Sequence, residues 1–163
     1  MLYRTHFLGG LAAGLLVAGQ VDPKSALISA GVAGVAALLP DLDTPQSELG
    51  RHLKFISEPT KMIFRHRGAL HSILAAFGLS MLLLPFLLHH QYNFLYMPVL
   101  IGYLSHLALD ALNPEGVPFL WPLHTKFKIP LVKTGGILEH LIVAPALLLL
   151  VAWMAWPLVH QII

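Results

Sequence analysis

The sequence predicts an all-α integral membrane protein, one domain over residues 1–163, with about five apolar helices whose ends converge on a polar site at the cytoplasmic face. Three observations predict it. The first is composition: 56% of the residues are hydrophobic and 11% are charged, against about 25% charged in an ordinary soluble domain. The second is a succession of five apolar segments separated by polar loops. The third is the placement of the ionisable residues, which gather in compact acid and histidine clusters. Ionisable groups in or beside apolar spans are costly and mark function.

The first segment runs from Phe7 to Val21 and the second from Ser25 to Leu39. Both are short, about 22 Å each at helical rise, and read either as short spans or as a re-entrant hairpin. Gly10 and Gly14 lie four apart, as do Ala30 and Gly34, and Ala33 and Ala37. Small residues at that spacing let helix backbones approach closely, so the pair is expected to pack tightly and to turn at Val21-Asp22-Pro23-Lys24. The third segment (Ala69 to Leu88), the fourth (Asn93 to Leu112) and the fifth (Ile137 to about Ile162) are long enough to span a bilayer, which takes about 20 residues. Arg4 before an apolar run, with Ala18 and Gly19 after it, has the outline of a signal peptide. A single basic residue is a weak start for one and the run is rich in glycine, so a retained helix is expected.

Charge orients the chain. With five crossings, one side holds the N-terminus, the 40–68 loop and the 113–136 loop, and with them Arg4, Arg51, Lys54, Lys61, Arg65, Arg67, Lys126, Lys128 and Lys133. The other side holds Lys24. The positive-inside rule puts the crowded side in the cytoplasm. A re-entrant first pair does not alter this, because an even number of crossings is removed. No basic run with interleaved aromatics occurs, so nucleic acid is not an expected partner; membrane lipids are. The chain has no cysteine, which excludes disulfides and thiolate metal sites and leaves nitrogen and oxygen ligands. Trp121, Trp153 and Trp156 read as interface anchors or lipid-facing bulk. His89, His90 and His160 fall at the opposite interface, and His52, His124 and His140 read as loop or interface residues.

The clusters share the basic side. His106 and Asp110 are four apart in a helical pattern, which puts both on one face; a helix offers two ligands to one metal in this way. The competing reading is a His–Asp hydrogen bond that satisfies a helix end. Asp41 and Asp43 follow Pro40 where an apolar segment stops. In an extended stretch both carboxylates point the same way, and two close carboxylates need a cation or a proton to coexist; the competing reading is a solvated helix-ending turn. His66 and His71 are five apart and do not share a helix face, with Gly68 turning the chain and His71 in the first turn of the third helix. His71 sits deeper and ranks above His66. Arg67 reads either as a basic flank or as a fork onto phosphate or carboxylate. Glu139 is the acid of the fifth segment and needs a partner there, as a ligand or general base. His6 reads as a ligand or an interfacial histidine. Gly102 is expected to serve packing, and Ser105 to serve packing or support the ligands.

The chain resembles the YdjM-like family of predicted inner-membrane, metal-dependent hydrolases. The matching pieces are Pro40-Asp41-Leu42-Asp43 followed by Thr44-Pro45-Gln46-Ser47 and Gly50-Arg51, then His66-Arg67-Gly68 with His71-Ser72, Ser105-His106 with Leu109-Asp110, Asn113-Pro114-Glu115-Gly116 and Trp121-Pro122. They run in order over most of the chain. The resemblance implies a bacterial inner membrane, a divalent metal and hydrolysis, with phospholipid as one candidate substrate.

The expected function is therefore a membrane-bound hydrolase of an ester or phosphoester. His6, Asp41, Asp43, His71, His106 and Asp110 would hold one or two divalent ions, zinc or manganese, and that many ligands exceeds what a single four-coordinate zinc needs. Glu139 or His66 would move protons, and Arg67 would position an anionic head group. No Gly-Xaa-Ser-Xaa-Gly elbow is present, which argues against a serine hydrolase of that type. The alternative is a non-enzymatic membrane protein with a structural or regulatory metal site. A transporter is disfavoured because the third to fifth segments carry no acid near mid-membrane.

Overall fold

Two glycine- and alanine-rich helices form the packed pair that their composition calls for, α1 (Tyr3–Val17) and α2 (Pro23–Ala36). The structure is a computed structural model that describes residues 1–19, 21–43, 69–123 and 125–163, the side chain of Asp43 excepted. The turn between the pair is the expected one. The Asp22 carboxylate accepts hydrogen bonds from the Lys24 and Ser25 backbone N–H groups, each at 3.1 Å. Pro23 takes the first helical position, where its missing N–H costs nothing. Hydrogen bonding to Ser25 holds the Asp22 carboxyl below its usual range.

Three further α-helices complete the described residues: α3 (Ile73–His89), α4 (Tyr96–Ala111) and α5 (Ala144–His160). Helix α4 packs against α1, α2 and α3, and α5 packs chiefly on α1. The tightest point is Ala33, which is fully buried. A Cβ on Gly10 of α1 would lie 2.5 Å from the Ala33 carbonyl oxygen, and one on Gly102 of α4 would lie 2.7 Å from the Ala33 Cα. Three helix backbones therefore meet at one residue because two of them carry no side chain there. A second core forms around Tyr103 and Leu107 of α4 with Ala76 of α3 and Val117.

Element lengths differ from the sequence expectation in an instructive way. The second segment was expected to be short, but a 3-10 turn over Leu39–Asp43 prolongs it, and the run Pro23–Leu42 has 20 residues, long and apolar enough to cross a membrane. Asn93–Ala111 and Glu139–His160 meet the same criterion with 19 and 22 residues. Helix α3 is shorter, at 17 residues, because the Ser72 side chain caps it by accepting the Ala75 N–H at 3.1 Å. His71 therefore precedes that helix rather than lying in its first turn. The 3-10 turn also replaces the extended stretch expected at Asp41.

The segment after α4 folds back over the end that carries the clusters. Ile129 N–H donates to the Ala111 carbonyl at 2.7 Å, and Leu131 and Val132 donate to that of Leu112 at 3.1 and 2.9 Å. These bonds satisfy carbonyls that a helix C-terminus leaves open. Asn113-Pro114-Glu115-Gly116 is the tight turn that starts the segment, with Gly116 at φ +70°, a conformation that suits glycine.

Candidate metal centre

Five of the expected residues come together at one end of the bundle. His6 lies in the first turn of α1, which begins at Tyr3 and so includes a histidine expected to precede the helix. Asp41 stands in the 3-10 turn after α2, His71 just before the Ser72 cap of α3, and His106 and Asp110 in the last turns of α4. One ligand atom from each of His6, His106 and Asp110 lies within 4.8 Å of the other two, and the same holds for Asp41, His71 and His106.

The orientation of His106 decides what the cluster can do. Its Nδ1 lies 2.7 Å from the Ala37 carbonyl oxygen. A carbonyl only accepts, so Nδ1 carries a proton, and Nε2 is the nitrogen that can offer a lone pair when the ring is neutral. That nitrogen stands 3.3 Å from Asp110 Oδ2 and 3.4 Å from His71 Nε2. His71 Nε2 lies 3.8 Å from Asp41 Oδ1 and 3.9 Å from Asp110 Oδ2. Imidazole and carboxylate groups thus gather at one point, an arrangement that a shared proton or a shared cation can serve. A backbone carbonyl behind a ligating imidazole is also the usual way a metal site fixes its tautomer.

His6 adds a second buried imidazole, stacked on His106 with ring centroids 3.7 Å apart and planes 16° apart. Its Nε2 is 3.1 Å from Asp110 Oδ1, yet neither ring nitrogen is aligned for a hydrogen bond with any described residue. A buried polar group without such a bond is costly, and a metal ion is a partner that this geometry admits. The Met1 ammonium group also pairs with Asp110 Oδ1. The two inner histidines are fully buried, whereas His71 is 12% exposed and Asp41 and Asp110 are each 18% exposed. The cluster is fully buried at His6 and His106 and partly exposed at His71, Asp41 and Asp110.

Glu139 sits beside this group rather than in it. It is buried on the single wide turn Glu139–Val143 that opens the last span. Its Oε1 accepts the Leu2 N–H at 2.7 Å and its Oε2 accepts the Gly135 N–H at 2.7 Å. The carboxylate therefore clasps the start of α1, one turn before His6, to the loop ahead of α5. His66 and Arg67 lie outside the described residues, as do His52, His124 and the Asp43 side chain. His140 bonds its own Gly136 carbonyl through Nδ1 at 3.0 Å, and His89, His90 and His160 are exposed far along their helices.

Two supporting residues escaped the sequence reading. Tyr103 is buried, and its hydroxyl donates to the Leu70 carbonyl at 2.5 Å, next to His71. Its position one turn before His106, and the need of a buried tyrosine hydroxyl for a partner, were the available signals. The Ala37 carbonyl had a weaker signal: it belongs to a helix end, where carbonyls lack intrahelical partners.

Comparison with known proteins adds the family. The model for the family described as YdjM inner membrane protein matches residues 1–162. The chain belongs to the YdjM family. It is 39% identical over 130 residues to the inner membrane protein YdjM of Escherichia coli (strain K12), covering 75% of this chain and 62% of that protein, and the same figures hold for its namesake in Shigella flexneri. The chain thus spans less than two thirds of the length of these curated relatives. It is 32% identical over 148 residues to the uncharacterized protein YvsG of Bacillus subtilis (strain 168), covering 88% of each chain. No solved structure matches. YdjM membership and the three apolar runs together make this a multi-pass protein of the bacterial inner membrane.

Proposed function

We propose that this YdjM-family protein is a metal-dependent hydrolase of an ester or phosphoester, with its site at the cytoplasmic interface. The observation that carries the reading is the His106 Nε2 lone pair, aimed at Asp110 and His71 with its tautomer set by the Ala37 carbonyl. The basic residues on the N-terminal side support the cytoplasmic placement, and a phospholipid suits a site at that interface.

The donor set fits zinc or manganese, since imidazole and carboxylate serve both. A divalent ion held there would supply Lewis acidity and would acidify water enough for attack near neutral pH. His106 joins both groups of three but has a single nitrogen to give, because Nδ1 is committed to Ala37. It can ligate one ion only. This favours one ion over the two that ligand number alone suggests, with His6 and Asp110 as its partners on one side of His106 or Asp41 and His71 on the other. The partial exposure of His71, Asp41 and Asp110 supports an open position, as a catalytic site needs and a closed structural site does not. Both Glu139 oxygens accept backbone hydrogen bonds, which supports a role in holding α1 in place. Proton movement falls to His66 or to the exposed edge of Asp41, and the Arg67 guanidinium suits an anionic head group.

The test is elemental analysis of the purified protein, followed by turnover of bis(p-nitrophenyl) phosphate, p-nitrophenyl esters and phospholipid vesicles with added zinc or manganese. One equivalent of metal with turnover that disappears in His106→Asn is expected. Metal without turnover of any substrate class would favour the non-enzymatic alternative, and no metal under any loading would sink both.

A further inference from the structure

An apolar pocket of about 280 Å3 lies between α2, α3 and α4, next to the metal centre along the chain. Gly31, Val35, Ala36 and Leu39 line it from α2 and the turn that follows, Leu83 from α3 and Val99 from α4, and no polar surface faces it. Leu39 begins the 3-10 turn that carries Asp41, and Ala36 precedes the Ala37 carbonyl that holds His106. Val99 is seven residues before His106, about 10 Å deeper along the helix axis. The rim opens to the outer surface of the apolar run Pro23–Leu42, as Val35 is 58% exposed.

Gly31 explains why the space is there. Glycine inside a helix costs about 1 kcal/mol relative to alanine, and Gly10 and Gly102 meet that cost by close packing. A Cβ on Gly31 would meet nothing within 4 Å. Among the described residues no neighbouring helix requires this glycine, and what its missing side chain provides is room.

We propose that the pocket seats one acyl chain of a membrane phospholipid, with the head-group end of that lipid directed toward Asp41 and His71. The bilayer is the solvent of this face and phospholipid is its substance, so an open apolar groove between spans is filled by acyl chain. The volume lies just below the range of about 300–1,000 Å3 typical of small-molecule sites, which suits part of one chain rather than a whole lipid. The chain seat stands independently of hydrolysis; the direction of the head group rests on the hydrolase reading.

The test uses the full chain in vesicles of phosphatidylethanolamine and phosphatidylglycerol, doped with a phosphatidylethanolamine that carries a diazirine in one acyl chain. After photolysis, adducts mapped on residues 31–39, Leu83 and Val99 should exceed those on Leu149 and Trp153 of α5 roughly tenfold, a preference of about 1.4 kcal/mol. Gly31→Phe should abolish the excess while the metal content stays at the wild-type level. Labelling no denser than on α5, or unchanged by Gly31→Phe, overturns the seat, and the wild-type map decides by itself should the variant not fold. His106→Ala separates the two readings: loss of metal with the adduct pattern retained supports the seat, whatever becomes of the hydrolase.

Discussion

The Nδ1 nitrogen of His106 and the carbonyl oxygen of Ala37, 69 residues apart in sequence, lie 2.7 Å apart and buried, at the end of the bundle that carries the cluster. This bond joins the end of α2 to α4 and also decides which nitrogen His106 offers to a metal. The two roles can be separated. His106→Asn keeps an N–H donor for Ala37 but loses Nε2, whereas His106→Ala loses both. Metal content should fall to background in each. The alanine variant should be less stable by about 1–3 kcal/mol, because a buried carbonyl is left without a partner, while the asparagine variant stays closer to wild type. Thermal unfolding in detergent with parallel elemental analysis checks this, and equal stabilities would contradict the structural half of the argument.

Stoichiometry offers a second prediction. With one usable His106 nitrogen, the metal content should be near one equivalent. His6→Ala or His71→Ala, according to the side of His106 that the ion takes, should weaken affinity rather than halve the bound metal. Saturating metal at about 100 times its dissociation constant should stabilise the wild type by about 2.7 kcal/mol, and chelation should reverse the gain. Two equivalents, with each variant retaining one, would restore the two-ion reading.

Much of this site was legible in the sequence, and the reasons for the remainder are specific. The i, i+4 spacing of His106 and Asp110 survives in any helix, and Gly10, Gly14, Ala33 and Gly102 announce close packing by size alone. The local conformations at Asp41 and His71 were not legible, since Asp-Leu-Asp fits an extended stretch or a 3-10 turn equally well. The turn was decided by the chain continuing α2 beyond Ala37. Helix α3 begins late because the Ser72 hydroxyl, serving as the cap, outcompetes the apolar pattern that starts at Ala69. The Ala37 carbonyl is a backbone group at a residue with no functional side chain, so nothing in the letter sequence distinguishes it.

Close packing at Ala33 yields a third prediction. Gly102→Ala places a methyl group 2.7 Å from the Ala33 Cα, which forces α4 away from α2 and draws His106 from Ala37. Overpacking of this kind costs about 1–3 kcal/mol, and metal affinity should fall with it. Gly78→Ala in α3 is the matched control, since a Cβ there meets nothing within 4 Å. It should be neutral or should raise stability by up to about 1 kcal/mol through helix propensity. Unfolding midpoints for the pair that move in the same direction would contradict this picture of the helix crossing.

Glu139 gives the sharpest separation between a base and a clasp. Its two oxygens accept N–H groups from Leu2 and Gly135, on opposite sides of the α1–α5 contact. Glu139→Gln retains one acceptor oxygen and presents an NH2 group to the other N–H, so one bond is lost and a donor meets a donor. Hydrogen bonds to a charged group are worth about 1.5–3 kcal/mol each, and stability should fall by that order. Because Leu2 is one helical turn before His6, the start of α1 should loosen and metal affinity should drop about 10- to 100-fold, as it does when a ligand's support is removed. Excess metal should then restore most of the activity. A general base behaves in the opposite way: its loss leaves metal binding and stability intact and removes turnover that no metal concentration restores. Titrating metal into Glu139→Gln while following both binding and turnover distinguishes the two, and recovery of turnover at high metal is the expected result.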